Sequence, residues 1–172
     1  MERTERRRRR LLRILQQRSR PISGASLARR LGVSRQIIVQ DIAVLRASGQ
    51  PVISTPRGYM LWQAPEQKRY QSVIASRHTK DQCEDELRLL VDLGVKIIDV
   101  VIEHPIYGEI RRPLMIQSRQ DVSEFIEKIN HTGAELLCEL TGGVHLHTIE
   151  APREDLLEKA RQALKLRGYL VE

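Results

Sequence analysis

The chain of 172 residues is poor in cysteine, in aromatic residues and in long apolar runs. Its two cysteines are too few for the disulfide framework of a small secreted protein or for a cysteine-rich zinc module. Aromatic residues make up only 3% of the sequence, which disfavours a single-strand nucleic-acid binder that stacks bases on aromatic rings. No apolar run approaches the ~18 residues of a membrane span, and the arginine-rich start lacks the apolar core of a secretion signal. We therefore expect a cytoplasmic protein.

Charge is divided unevenly along the chain, whose net charge is +7. Residues 1–62 contain fourteen arginines, no lysine and three acidic residues, whereas residues 63–172 contain fifteen basic and nineteen acidic residues. A basic front half followed by an acidic back half predicts two modules, of which the first faces a polyanion. We assign residues 1–64 to the first domain and 65–172 to the second, with a polar linker at 63–69.

Apolar periodicity predicts a helix-turn-helix in the first domain. Helices are expected at about 5–18, 24–31 and 35–47, followed by a hairpin at 51–62 that would act as a wing. Gly32 permits the tight turn that holds the third helix out toward a major groove. On its exposed side, arginine can read guanine and glutamine can read adenine. The predicted contacts to double-stranded DNA are Ser34, Arg35, Gln36, Gln40 and, at the hairpin tip, Arg57.

The run Arg6–Arg10 is less specific, because a run of like charges is usually a solvated face. A contact to DNA is the second interpretation of this run. The first domain as a whole resembles the winged-helix modules of bacterial ligand-responsive repressors. The likeness is carried by Val33-Ser34-Arg35-Gln36, Asp41-Ile42-x-x-Leu45-Arg46-x-x-Gly49 and Arg57-Gly58-Tyr59-x-Leu61.

Strand and helix patterns alternate in the second domain. Strands are expected at about 70–78, 95–104, 109–117 and 144–150, and helices at about 80–93, 119–131 and 152–167. This β-α-β-β-α-β order with a final helix is that of a ferredoxin-like sandwich. The predicted fold class is therefore α+β, a winged helix-turn-helix followed by a ferredoxin-like β-α-β-β-α-β(α) regulatory domain.

Histidines of the second domain have the spacing of metal ligands. His145-x-His147 lies in a predicted strand, whose period of two puts both imidazoles on one face. If His78, at the end of an earlier strand, is a sheet neighbour, three imidazoles and a carboxylate can converge on Zn²⁺, Ni²⁺ or Fe²⁺. Glu86, in the helix that follows His78, is the predicted carboxylate, and Glu84 or Asp85 could replace it.

Two half-exposed histidines of an ordinary strand would give the same pattern, so spacing alone does not establish that these histidines bind a metal. His104 and His131 lie at element ends and are interpreted as surface or capping residues. Cys83 is interpreted as a small buried apolar residue.

Residues 70–172 resemble the three-histidine (3H) domain, and the whole chain resembles the niacin-responsive transcriptional repressors. The matching segments are Ser76-Arg77-His78-Thr79, Cys83-Glu84-Asp85-Glu86-Leu87, Val101-Ile102-Glu103-His104-Pro105-Ile106-Tyr107-Gly108-Glu109-Ile110 and Thr141-Gly142-Gly143-Val144-His145-Leu146-His147-Thr148-Ile149.

This resemblance implies a ligand-responsive repressor. We expect a homodimer, because two recognition helices must read half-sites one DNA turn apart. We do not expect an enzyme, because the sequence contains no nucleophile elbow, no HExxH motif and no phosphate-binding loop. The resemblance also implies nicotinic acid as co-repressor and control of genes for NAD biosynthesis or niacin uptake. One divalent metal per chain would be bound by His78, Glu86, His145 and His147.

The sequence is compatible with two binding modes for the effector. Its pyridine nitrogen can bind the metal while Arg77 or Arg111 pairs with its carboxylate, or the carboxylate itself can bind the metal. Two other functions share these features: a repressor for which the metal is the signal, and a metal-dependent hydrolase domain fused to a DNA-binding module.

Overall fold

The computed structural model describes residues 2–62 and 69–172, and the chain divides into two compact units, Met1–Ala64 and Pro65–Glu172. The predicted linker falls outside the described residues except for its last residue. The first unit contains α1 (Glu2–Gln16), α2 (Gly24–Leu31), α3 (Arg35–Ala47), β1 (Val52–Thr55) and β2 (Gly58–Leu61). The second contains β3 (Tyr70–Arg77), α4 (Cys83–Asp92), β4 (Lys96–His104), β5 (Gly108–Ile116), α5 (Arg119–Thr132), β6 (Val144–Ala151) and α6 (Glu154–Leu166), with short 3₁₀ turns at Lys80–Gln82 and Leu137–Thr141.

The first unit has the predicted winged-helix architecture. Ser34 caps α3 by accepting a hydrogen bond from the backbone N–H of Ile37, at 3.3 Å. The wing is tied to the helices because Ile22 and Tyr59 exchange two backbone hydrogen bonds of 2.9 Å. Arg46 of α3 also donates to the carbonyl of Val52 in β1, at 2.8 Å. One apolar core joins all these elements through Leu11, Leu15, Ile22, Leu27, Ile38, Ile42, Leu45, Val52 and Leu61.

Two arginines of α1 hold the buried carboxylate of Asp41 in α3. Arg7 Nε donates to Asp41 Oδ2 at 2.6 Å, and Arg8 Nε donates to Oδ1 at 3.0 Å. The Asp41 side chain is 1% exposed, while those of Arg7 and Arg8 are 20% and 32% exposed. Part of the Arg6–Arg10 run is therefore structural, because these two guanidinium groups fix α1 against α3.

Replacement of Asp41 by asparagine is expected to destabilise the first unit near neutral pH but not in acid. Burial raises the pKa of Asp41, but hydrogen bonds and charges from Arg7 and Arg8 outweigh it, so this pKa lies below its ordinary value of 3.8. A depressed pKa means that the carboxylate stabilises the fold above pH ~4 and loses that contribution as the pH falls through the folded-state pKa. We expect a loss of about 1–2 kcal/mol at pH 7, since both arginines are partly solvated.

The measurement is urea unfolding at pH 7 and pH 3, followed by the fluorescence of Trp62, the one tryptophan of the sequence. Glu5→Gln is the matched control, because Glu5 pairs with exposed Arg9 on the surface of the same unit. Equal destabilisation by Asp41→Asn at both pH values would show that packing, and not charge, explains the effect.

The second unit is a four-stranded antiparallel sheet with three helices packed against it. The predicted α+β class and the predicted order of elements are confirmed. The strand order is β3-β6-β4-β5, so β3 lies at an edge, whereas the first strand of a ferredoxin-like sandwich lies inside its sheet. The outer edge of β3 is covered by residues after α6, since Arg77 N–H donates to the Tyr169 carbonyl and Val171 N–H to the Ala75 carbonyl. This order places β6, which carries two histidines, inside the sheet.

Candidate metal centre and nucleic-acid interface

The four predicted metal ligands lie together in the core of the second unit. His145 and His147 are 3% exposed, and they alternate with exposed residues along β6, as the period of two predicts. His78 directly follows β3 and is 6% exposed, while Glu86 in α4 is fully buried. Because β3 pairs with β6 and α4 packs on the sheet, three segments distant in sequence meet at one point.

One carboxylate oxygen stands at the centre of this cluster. Glu86 Oε2 lies 2.7 Å from Nε2 of His78, 3.4 Å from Nε2 of His145 and 3.5 Å from Nε2 of His147. The ligand atoms of His78, Glu86 and His145 all lie within 4.8 Å of one another, which is close enough to share one ion. His147 belongs to the same cluster through its contact with Glu86.

The other nitrogen of each imidazole faces a backbone carbonyl. Nδ1 lies 2.8 Å from the Thr79 oxygen in His78, 2.9 Å from the Gly143 oxygen in His145, and 2.6 Å from the Asp99 oxygen in His147. A carbonyl only accepts, so each Nδ1 carries the proton and each Nε2 is left to face Glu86. Outer hydrogen bonds of this kind orient the histidines of metal sites.

The donor set fits a metal ion. A neutral imidazole that donates through Nδ1 has only a lone pair at Nε2, so its contact with the carboxylate requires a positive charge between them. Three protonated imidazoles around one carboxylate would leave excess positive charge in the core, which is unfavourable. Glu86 Oε1 is also buried and has no hydrogen-bond partner among the described residues. A divalent ion satisfies the lone pairs and the carboxylate together.

Glu86 and the imidazoles shift one another's pKa values in opposite directions. Burial raises the pKa of Glu86, but the three imidazoles outweigh it and hold this pKa well below its usual range. Burial lowers the pKa values of His78 and His147, but Glu86 outweighs it and both pKa values are raised. The carboxylate is therefore ionised, and the cluster attracts positive charge.

Glu86, and neither of its acidic neighbours, supplies the carboxylate. Glu84 pairs with Arg88 at 2.6 Å on the surface of α4. Asp85 accepts hydrogen bonds from Arg167 and from the Tyr169 hydroxyl. Among these three acidic residues of α4, only Glu86 turns its carboxylate toward the histidines, so neither of the possible replacements is needed.

The remaining candidates have ordinary structural roles. Burial raises the pKa of the Cys83 thiol, which makes it a poor ligand. His104 caps the turn after β4, because its Nδ1 accepts hydrogen bonds from the backbone N–H groups of Ile106 and Tyr107. His131 is exposed near the end of α5.

Neither arginine considered for the effector reaches the histidine cluster. Arg77 is exposed, and it alternates along β3 with Ser76, whose side chain is buried on the side of the sheet that carries the histidines. Arg111 pairs with Asp99 at 2.6 Å and donates a hydrogen bond to the Thr148 hydroxyl, so its contacts are to neighbours of His147 and not to the imidazoles.

The backbone that supports the histidines was not predicted from the sequence. Gly143 accepts hydrogen bonds from His145 and from the backbone N–H of His78, and a Cβ atom at Gly143 would fall on the His78 carbonyl oxygen. The Gly142-Gly143 pair was a visible signal of a close backbone approach, although its partner was not predictable.

The predicted DNA-reading residues lie at the start of α3 and on its outer side. Ser34, Arg35, Gln36 and Gln40 are exposed, whereas Ile38, Ile42 and Leu45 face the core. Arg57 lies in the turn between β1 and β2 and is half-buried, so the wing tip presents less of this side chain than the sequence indicates. None of the helices in the described residues has the length and apolar content needed to cross a membrane.

Comparison with known proteins identifies both units. Residues 7–60 match the HTH domain family, and residues 71–172 match the 3H domain family. The chain is 44% identical over 162 residues to the probable transcription repressor NiaR of Thermotoga maritima, covering 94% of this chain and 91% of that protein. It is 45% identical over 168 residues to the transcription repressor NadR of Bacillus subtilis, covering 96% and 93% of the two chains.

These similarities extend over nearly the whole chain and cover both units. They confirm the predicted class, a DNA-binding transcription repressor and not an enzyme. They also confirm the resemblance to the niacin-responsive transcriptional repressors that the quoted sequence segments indicated. The chain belongs to the NiaR family of transcription repressors, which joins a helix-turn-helix domain to a 3H domain.

Proposed function

We propose that this repressor binds its operator as a homodimer, with nicotinic acid as co-repressor, and controls genes for NAD biosynthesis or niacin uptake. In this proposal, one Zn²⁺, Ni²⁺ or Fe²⁺ ion is held by His78, Glu86, His145 and His147. The observation that carries it is the buried carboxylate oxygen of Glu86, surrounded by three imidazole Nε2 atoms in a chain that also has a DNA-reading helix.

Charge balance favours a monoanionic effector at such a site. A divalent ion with three neutral imidazoles and one carboxylate has one excess positive charge, which is unfavourable in a buried site. Within the described part of the chain, no lysine or arginine hydrogen bonds to Glu86 or to the imidazoles. The bound ion, and neither Arg77 nor Arg111, would then be the cation that a carboxylate meets. Nicotinate provides that negative charge, whereas nicotinamide does not.

The effector can strengthen repression only if it binds the DNA-competent arrangement more tightly than the other arrangement. A dimer supplies such an arrangement, because two recognition helices must lie about 34 Å apart to read half-sites one turn apart. Arg35, Gln36 and Gln40 would read base edges, while Ser34 and Arg57 would contact the backbone. Sedimentation should show a dimer on DNA, and a monomer under all conditions would contradict this switch.

The decisive experiment is fluorescence anisotropy with DNA from upstream of this chain's own operon, at fixed salt. Nicotinic acid, nicotinamide and a chelator are titrated separately, with wild-type protein and with His145→Ala. We expect nicotinic acid to tighten DNA binding, and we expect the chelator or His145→Ala to abolish that gain while the fold persists. If the chelator weakens DNA binding and nicotinic acid has no effect, the metal itself is the signal and the co-repressor proposal fails.

A further inference from the structure

Ser76 has a buried hydroxyl on the sheet face that carries the histidines. It lies on β3, is fully buried, and its Oγ has no hydrogen-bond partner among the described residues. It stands directly opposite His145 in the sheet, and it precedes His78 by two residues. Side chains directly opposite each other in antiparallel strands have Cβ atoms about 5 Å apart. The hydroxyl is therefore next to two of the imidazoles that surround Glu86.

The strand itself does not explain a hydroxyl at this position. The backbone of Ser76 pairs with His145 on one side and bridges to Leu170 on the other, so strand pairing does not require a hydroxyl in the side chain. A buried hydroxyl without a partner is unfavourable, and buried polar groups in proteins nearly always have one. Ser72, on the same face of the same strand, has such a partner in Arg161.

A second buried atom without a partner lies in the same cluster. Glu86 Oε1 is an acceptor, and Ser76 Oγ is both a donor and an acceptor. Three Nε2 lone pairs converge on Glu86, and two buried polar atoms, one on Glu86 and one on the neighbouring Ser76, have no partner among the described residues. Together they indicate a site for a group larger than a proton. The ion of the proposed function accounts for the carboxylate and the imidazoles. It does not account for the hydroxyl, which binds metals weakly and hydrogen bonds readily to oxygen.

We infer that Ser76 positions the ligand that completes the coordination of the ion. Its hydroxyl donates a hydrogen bond to an oxygen atom at the open position, which belongs to water in the ion-bound protein and to a carboxylate when an acid is bound. Because the Ser76 hydroxyl is neutral, it can orient the bound oxygen atom without changing the net charge of the site. This inference rests on the ion of the proposed function.

Ser76→Ala tests the hydroxyl, with Ser72→Ala as a matched control on the same face of β3. The affinity for Ni²⁺ is measured by competition with a chromophoric chelator at fixed pH, and the thermal midpoint of the ion-free protein is measured beside it. We expect Ser76→Ala to bind Ni²⁺ about 10-fold more weakly, as is usual for outer-shell partners of a metal site. We expect its ion-free midpoint to equal or exceed that of wild type, because an unsatisfied hydroxyl has been removed.

Ser76→Thr keeps the hydroxyl and is expected to bind Ni²⁺ more tightly than Ser76→Ala does. Affinity within two-fold of wild type in Ser76→Ala overturns the inference, and so does a Ser76→Thr protein that binds as weakly as Ser76→Ala. Failure of wild-type protein to bind Ni²⁺ or Zn²⁺ would instead contradict the ion of the proposed function.

Discussion

Glu86→Gln is expected to abolish ion binding while the ion-free protein stays folded. Glutamine has the shape of glutamate but carries no charge, so the three imidazoles lose the anion that faces their Nε2 atoms. Its amide N–H2 can still donate hydrogen bonds to the imidazole nitrogens, and an uncharged side chain is easier to bury than a carboxylate, so the ion-free protein is expected to stay folded. We expect affinity to fall by more than about 100-fold, because outer-shell partners alone are worth roughly 10–100-fold.

The measurement is competition for Zn²⁺ or Ni²⁺ with a chromophoric chelator, together with thermal unfolding with and without the ion. Wild-type protein should gain a higher midpoint from the ion, and Glu86→Gln should not. Glu84→Gln is the matched control, because Glu84 lies on the same helix and pairs with Arg88 at the surface. If Glu86→Gln bound the ion as tightly as wild type does, the Glu86 carboxylate would not be a ligand.

Gly143→Ala is expected to weaken ion binding strongly without removing any ligand. A Cβ atom at Gly143 would clash with the backbone carbonyl of His78, so either the segment around Gly143 or the segment around His78 must move. The Gly143 carbonyl also accepts from His145 Nδ1 at 2.9 Å and from His78 N–H at 3.4 Å. Displacing this one carbonyl therefore misplaces two imidazoles, and we expect a loss of about 10–100-fold in ion affinity.

Gly142→Ala is the control that separates this clash from backbone strain. Gly142 has φ +63° and Gly143 has φ +89°, so alanine is strained at both positions. At Gly142, however, a Cβ atom would meet nothing within 4 Å. Gly142→Ala should lose stability but keep most of its ion affinity. Equal losses of ion affinity in both variants would mean that strain in the loop, and not contact with His78, explains the effect.

Local features of the sequence were enough to determine much of the first unit. The bounds of α2 and α3 match the prediction, because Ser34 and Gly32 mark a helix start and a helix end and the apolar period fixes the buried side. The same kind of local rule put His145 and His147 on one face, since a strand alternates whatever its neighbours are. The position of α1 was predicted less well, and it ends at Gln16 instead of residue 18.

Tertiary structure decided the partners of charged and polar groups. Three acidic residues follow one another at the start of α4, and only packing of that helix on the sheet selects Glu86 for the histidines. Packing of α1 on α3 likewise engages Arg7 and Arg8 with Asp41, whereas Arg9 beside them pairs with Glu5 at the surface. Periodicity shows which side of an element is buried, but it does not show what that side meets.

The strand order decided the rest of the site. Insertion of β6 between β3 and β4 brings Ser76 opposite His145 and the Asp99 carbonyl to His147. Local sequence patterns were enough to place the elements, their buried faces and the residues with the chemistry for DNA and metal binding. Only the folded sheet determined which of those residues meet, because pairing between distant strands depends on the packing of the whole unit and not on local periodicity.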